Sequence, residues 1–105
     1  MIRITPIHNE KDEVCGFRAE GHAGYKESGS DIICSAVSIL AINTVNSIEK
    51  FTEDKFSCKQ TEDGFLEMIL VENISPESRL LLDSFFLGIK EIVQQYGKKY
   101  VILLG

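Results

Sequence analysis

Apolar and polar residues alternate from Met1 to Asn9 around Ile2 and Ile4, with an edge-compatible Pro6, and this predicts a strand. Asn9 to Asp12 is a polar turn. The alternation returns from Val14 to Gly21, with Cys15, Phe17 and Ala19 on one face and Val14, Gly16, Arg18 and Glu20 on the other. These two runs predict a hairpin. From Ile32 to about Phe51 the period lengthens to that of a helix. Ile33, Val37, Leu40, Thr44 and Ile48 form one stripe, and Ile32, Ala36, Ile39 and Asn43 form another. A helix whose first three turns are apolar almost all round is expected to be covered on two sides. The sheet can cover one side, and a second subunit is a fair candidate for the other.

Phe56 to Gln60 and Gly64 to Val71 read as strands, joined by the turn Thr61-Glu62-Asp63-Gly64. Ser75-Pro76 then opens a second helix, with serine as N-cap and proline in the first turn. Leu81, Phe85, Ile89, Ile92 and Tyr96 are its expected buried stripe, and Gly97 its stop. The continuous apolar run Tyr100 to Leu104 is expected to be a well-covered final strand. The order ββαββαβ predicts an α+β fold of two layers, a mainly antiparallel sheet with both helices packed on it. Residues 1–105 read as one domain, without internal repeat or linker.

Composition narrows the function classes. Hydrophobic residues make up 44% of the chain, enough for a core without staples. No run approaches the ~18 apolar residues of a membrane span, so no membrane is expected. The opening MIRITPIHNEKDE turns polar at once and is not expected to be a signal peptide. The net charge of −5 disfavours direct contact with nucleic acid and favours a basic partner. Cys15, Cys34 and Cys58 are odd in number and form no CxxC pair, which argues against a disulfide framework and a zinc site. A reducing cytoplasm is the expected compartment, with no metal and no cofactor.

One segment carries candidate chemistry: Gly21 to Ser38, GHAGYKESGSDIICSAVS. If Ser30 or Asp31 caps the helix, Cys34 falls in the first turn, where the macrodipole lowers a thiol pKa and favours the reactive thiolate. His22 stands at the end of the preceding strand, and a loop containing Gly24 and Gly29 can fold it back to serve as general base. Backbone N–H groups near Cys34 and Ser35 are natural oxyanion donors. Asp31 has two possible jobs, helix cap or orienter of the imidazole. Ser38 lies one turn beyond Cys34 on the same helical flank, as a hydrogen-bond donor or a packing serine. From spacing alone the plain reading competes: a first-turn cysteine is commonly core, and a strand-end histidine commonly a turn residue. A phosphate cradle is weaker still, since neither a P-loop ending nor GxGxxG is present. His8 has no partner in sequence, Cys15 and Cys58 read as core, and Lys98-Lys99 reads as a solvated turn.

The same segment resembles the signature of the bacterial ribosomal-processing cysteine protease family, Prp. That signature runs Gly-His-(Ala/Ser), a glycine-containing loop, then Gly-x-Asp-(Ile/Leu)-(Val/Ile)-Cys-(Ala/Ser)-(Ala/Gly)-(Val/Ala)-Ser. The match runs from Gly21 to Ser38, and length and element order agree over the chain. The resemblance implies that Cys34 is the nucleophile and His22 the base of a cysteine endopeptidase. It implies a substrate as well, the short N-terminal extension of a large-subunit ribosomal protein, removed next to an aromatic residue. It also implies a homodimer. The alternative is a non-catalytic ribosome-assembly factor that holds the same protein without cutting it. The glycines suggest further that residues 22–31 stay open until substrate orders them and brings His22 to Cys34.

Overall fold

The computed structural model describes residues 1–21 and 30–105, with the side chains of Ser30 and Asp31 outside the description. The elements follow the expected order: β1 (Ile2–His8), β2 (Val14–Glu20), α1 (Ser30–Phe51), β3 (Phe56–Thr61), β4 (Phe65–Leu70), α2 (Pro76–Tyr96) and β5 (Val101–Leu103). The strands form one five-stranded sheet in the order β3-β4-β2-β1-β5. All neighbours are antiparallel except β1 and β5, which run parallel.

Strand periodicity decides which sheet face is covered. Ile2 and Ile4, then Cys15, Phe17 and Ala19, then Leu66, Met68 and Leu70 all point to one side and are buried. On the opposite face Arg18 pairs with Glu67, Nη2 to Oε2 at 2.7 Å, with Nε donating to the same oxygen at 2.8 Å. One face is therefore oily and the other polar, and both helices lie on the oily one. Phe17 of β2 stacks on Phe85 of α2 with ring centroids 4.1 Å apart, which fastens the two layers at their centre.

The local signals explain the joints. Asn9 Oδ1 accepts from the backbone N–H of Lys11 and of Glu13, at 2.9 and 3.0 Å, and so closes the first hairpin turn. Gly64 takes a φ of +88° in the second hairpin, which glycine adopts freely. Ser75 caps α2, its Oγ accepting from Ser78 N–H at 3.2 Å, and Gly97 ends the helix with its N–H donating to Val93 O at 2.7 Å.

Several expectations need correction. The buried row of α2 uses Leu82 rather than Leu81, and Tyr96 at the frayed end is 42% exposed. Cys58 points to the helix side as expected but is exposed, because β3 is an edge strand that the helices do not reach. The final strand stops at Leu103 with Val101 buried, and Leu104 beyond it is exposed. Pro6 is not in an edge strand, yet it behaves as if it were. β5 pairs only with Ile2, Arg3 and Ile4 of β1, so the missing N–H of Pro6 falls beyond its reach.

On α1, Ile33, Val37, Ala41, Thr44 and Ile48 face the core. Gly88 of α2 admits Leu40 so closely that a Cβ there would lie 2.9 Å from its Cδ1. Residues Ile32–Phe51 form a stretch with mean hydropathy 1.5, long and apolar enough to cross a membrane by length and composition. That overturns the expectation that no such run exists. Its core stripe is packed inside this fold, while Ile32 and Ile39 stand 65% and 67% exposed.

Candidate active site

A cleft of about 250 Å³ opens where the N-terminal half of α1 overhangs the end of the sheet. Its helix wall is Cys34, Val37, Ser38, Ala41 and Ile42. Cys34, Ser38 and Ile42 recur every fourth residue, so they share one flank of the helix. At 1.5 Å per residue they span ~12 Å, room for three or four residues of an extended peptide. The sheet wall crosses several strands, from Ile2 of β1 and Ala19 and Glu20 of β2 to Leu66 of β4 and Gln60 of β3. Its lining mixes apolar residues such as Ile2, Val37, Phe65 and Leu66 with the polar Ser38, Gln60 and Thr61, and its rim includes Glu20 and Glu62.

Cys34 is half-buried at this cleft, and Ser38 is exposed beside it. The structure thus brings together two of the four candidates read from sequence. None of the three cysteines forms a disulfide. Burial pushes the Cys15 thiol above its ordinary range, its own backbone hydrogen bond opposing this in part. Cys58 is also pushed up by the atoms around it, but it is exposed, so its access governs its reactivity.

α1 begins at Ser30, which puts Ser30 and Asp31 in its first turn and Cys34 at the start of the second. The amide N–H of Cys34 then pairs with the Ser30 carbonyl inside the helix. The amides without an intrahelical partner are those one turn earlier. Those free amides precede Cys34 and Ser35, whose own amides are the oxyanion donors expected from sequence. His22 lies outside the described residues, as do the side chain of Asp31 and residues 22–29 of the 22–31 loop expected to be ordered by substrate. Among the described residues, no group of three His, Cys, Asp or Glu side chains is placed to hold a metal ion.

Gly21 borders the cleft and has a reason other than loop motion. Its φ is +95°, and a Cβ there would be driven into the carbonyl oxygen of Met1. The cleft wall contributed by Gln60, Glu62 and Phe65 was not foreseen. These residues lie far from Cys34 in the chain, and only the strand order brings them near.

The chain has counterparts among known proteins. The family model described as cysteine protease Prp matches residues 1–101. The chain is 24% identical over 99 residues to the ribosomal processing cysteine protease Prp of Staphylococcus aureus, covering 93% of each chain. It is 25% identical over 101 residues to the protein of the same name from Bacillus subtilis, covering 91% of this chain and 90% of that one. In three dimensions it resembles the crystal structure of the S. aureus protease in complex with a substrate peptide. The TM-score is 0.87 at 23% identity, over 99% of this chain and 98% of the other.

Proposed function

The chain belongs to the cysteine protease Prp family, and from that premise we propose that Cys34 is its nucleophile and His22 its general base. The observation that carries the assignment is Cys34 itself, half-buried in the wall of a cleft whose helix side is long enough for three or four residues of extended peptide. In this reaction the Cys34 thiolate attacks the scissile carbonyl and forms the tetrahedral oxyanion. His22 protonates the departing amine, and the thioester remains. Water, deprotonated by His22, then adds to the thioester, which collapses to the carboxylate product and releases the thiol. Amides of the first turn of α1 are positioned to receive the oxyanion. Ser38 lines the cleft one turn on and donates toward bound peptide. Asp31 either orients His22 or complements the helix dipole from the first turn.

The proposed substrate is the N-terminal extension of a large-subunit ribosomal protein, in keeping with the ribosomal processing named for the S. aureus and B. subtilis relatives. A net charge of −5 and two rim carboxylates suit a basic partner. The apolar part of the lining, with Ile2, Val37, Phe65 and Leu66, suits an aromatic residue next to the cut. The enzyme works in the cytoplasm as one domain, residues 1–105, and as a homodimer whose second copy covers the exposed Ile32–Ile39 face.

The test is to incubate the protein with the extended ribosomal protein and follow the mass of the product. Cys34→Ser is expected to abolish shortening. His22→Ala is expected to slow it by ~10²-fold or more while the melting temperature holds. Binding without shortening would leave only an assembly factor.

A further inference from the structure

β3 is an outermost strand, and its ladder fixes which backbone groups face away from the sheet. Val71 N–H donates to Lys55 O at 3.0 Å, so these two form a hydrogen-bonded pair. Such pairs alternate in an antiparallel ladder. Ser57, Lys59 and Thr61, opposite Ile69, Glu67 and Phe65, therefore also turn their backbone groups toward β4. Phe56, Cys58 and Gln60 turn theirs outward. Carried across β4, β2 and β1, the same alternation requires Ile2 and Ile4 to face β5. There Ile2 N–H donates to Tyr100 O, and Ile4 O accepts from Leu104 N–H, both at 2.8 Å.

Within β3, Lys59 is the one charged side chain that could blunt this outer edge. Its register with β4 is unbroken, it contains no proline, and Ser57 to Thr61 are exposed. No described residue pairs with it on the outer side. The edge also leads somewhere, because Gln60 and Thr61 at its end line the cleft that holds Cys34. A strand laid along β3 is thereby delivered to the proposed nucleophile.

We propose that the substrate peptide docks by adding a strand to the outer edge of β3, hydrogen-bonding to the backbone of Cys58 and Gln60 before it enters the cleft. This rests on the protease reading and adds the mode of recognition. Main-chain pairing supplies affinity whatever the peptide's side chains, and the cleft supplies selectivity near the cut.

The experiment uses synthetic peptides from the ribosomal extension, each carrying one N-methylated amide. Strand pairing uses every second peptide amide. On one side of the cut, kcat/KM is expected to fall about tenfold or more at alternate positions and to change little between them. A flat profile, or a loss at one isolated position, would overturn the proposal. Affinity of the Cys34→Ser protein for the same peptides reads docking without cutting and should show the same period. Cleavage of the parent peptide that survives Cys34→Ser would sink the Cys34 assignment and leave the binding profile to judge the docking. On the protein side, the Cys58 N–H serves no ladder bond, so proline is compatible with the edge there. Cys58→Pro is expected to weaken peptide binding several-fold more than Cys58→Ala. Equal affinities in two folded variants would count against the model, and if Cys58→Pro does not fold the methylated series decides.

Discussion

Asp54, in the link between α1 and β3, holds Ser75, the cap of α2, with a single carboxylate oxygen. Oδ2 accepts from Ser75 Oγ at 2.6 Å and from Ser75 N–H at 2.9 Å. The serine in turn accepts from Ser78 N–H, so one acidic group anchors the start of the helix whose Phe85 sits at the core.

The hydrogen bonds from Ser75 lower the carboxyl pKa of Asp54 below its ordinary value. A lowered folded-state pKa means the stabilisation is present above the unfolded value of ~3.9 and is lost as pH falls through the folded one. Asp54→Ala is expected to cost about 1–2 kcal/mol near neutral pH. Melting followed from about pH 6 to about pH 2 should show the gap between wild type and variant closing in acid. A gap that persists unchanged in acid would show that the carboxylate's charge plays no part.

Cys34 should be the thiol that alkylates with loss of activity. Cys58 is exposed and competes for reagent, so the measurement belongs in a Cys58→Ala background. Limiting iodoacetamide and peptide mapping are expected to find Cys34 modified ahead of Cys15, which is buried and whose thiol is pushed up. Modification of Cys15 first would contradict the assignment.

Gly21→Ala is expected to destabilise the protein by about 1–3 kcal/mol, combining a positive φ with the clash against Met1 O. Denaturant unfolding measures the loss. An unchanged midpoint would mean the end of β2 re-forms around a side chain.

The exposed α1 face gives a prediction about assembly. Ile39→Asp is expected to convert a dimer to a monomer in sedimentation while the far-ultraviolet spectrum is retained. A variant that still sediments as a dimer would move the proposed interface elsewhere.

Much of this was legible in the chain because it is encoded locally. Ser75-Pro76, Gly97 and Asp63-Gly64 each act over a few residues, and alternation in β1 and β2 assigns their core face directly. Cys34 and Ser38 were legible as neighbours because a helix brings fourth residues together. What the chain does not spell out is strand order. Cys58 alternates like a core residue and is wet only because β3 ended at the margin. Leu82 replaces Leu81 in the buried row because the approach of α2 to the sheet, rather than its own period, sets its rotation. The sheet wall of the cleft is hidden for the same reason, since Glu20, Gln60 and Phe65 meet only through pairing.

The parallel pairing of Ile2 with Val101 bears on when the enzyme becomes competent. Ile2 belongs to the cleft wall, and its strand partner Val101 is made long after Cys34. Local hairpins close in microseconds, whereas a contact spanning nearly the whole chain waits for translation at ~5–20 residues per second. A nascent chain therefore displays Cys34, the proposed nucleophile, while the opposite wall is still unfinished. If Cys34 is the nucleophile, as proposed, proteolytic competence waits for β5, so the order of synthesis itself delays activity until this sheet is closed.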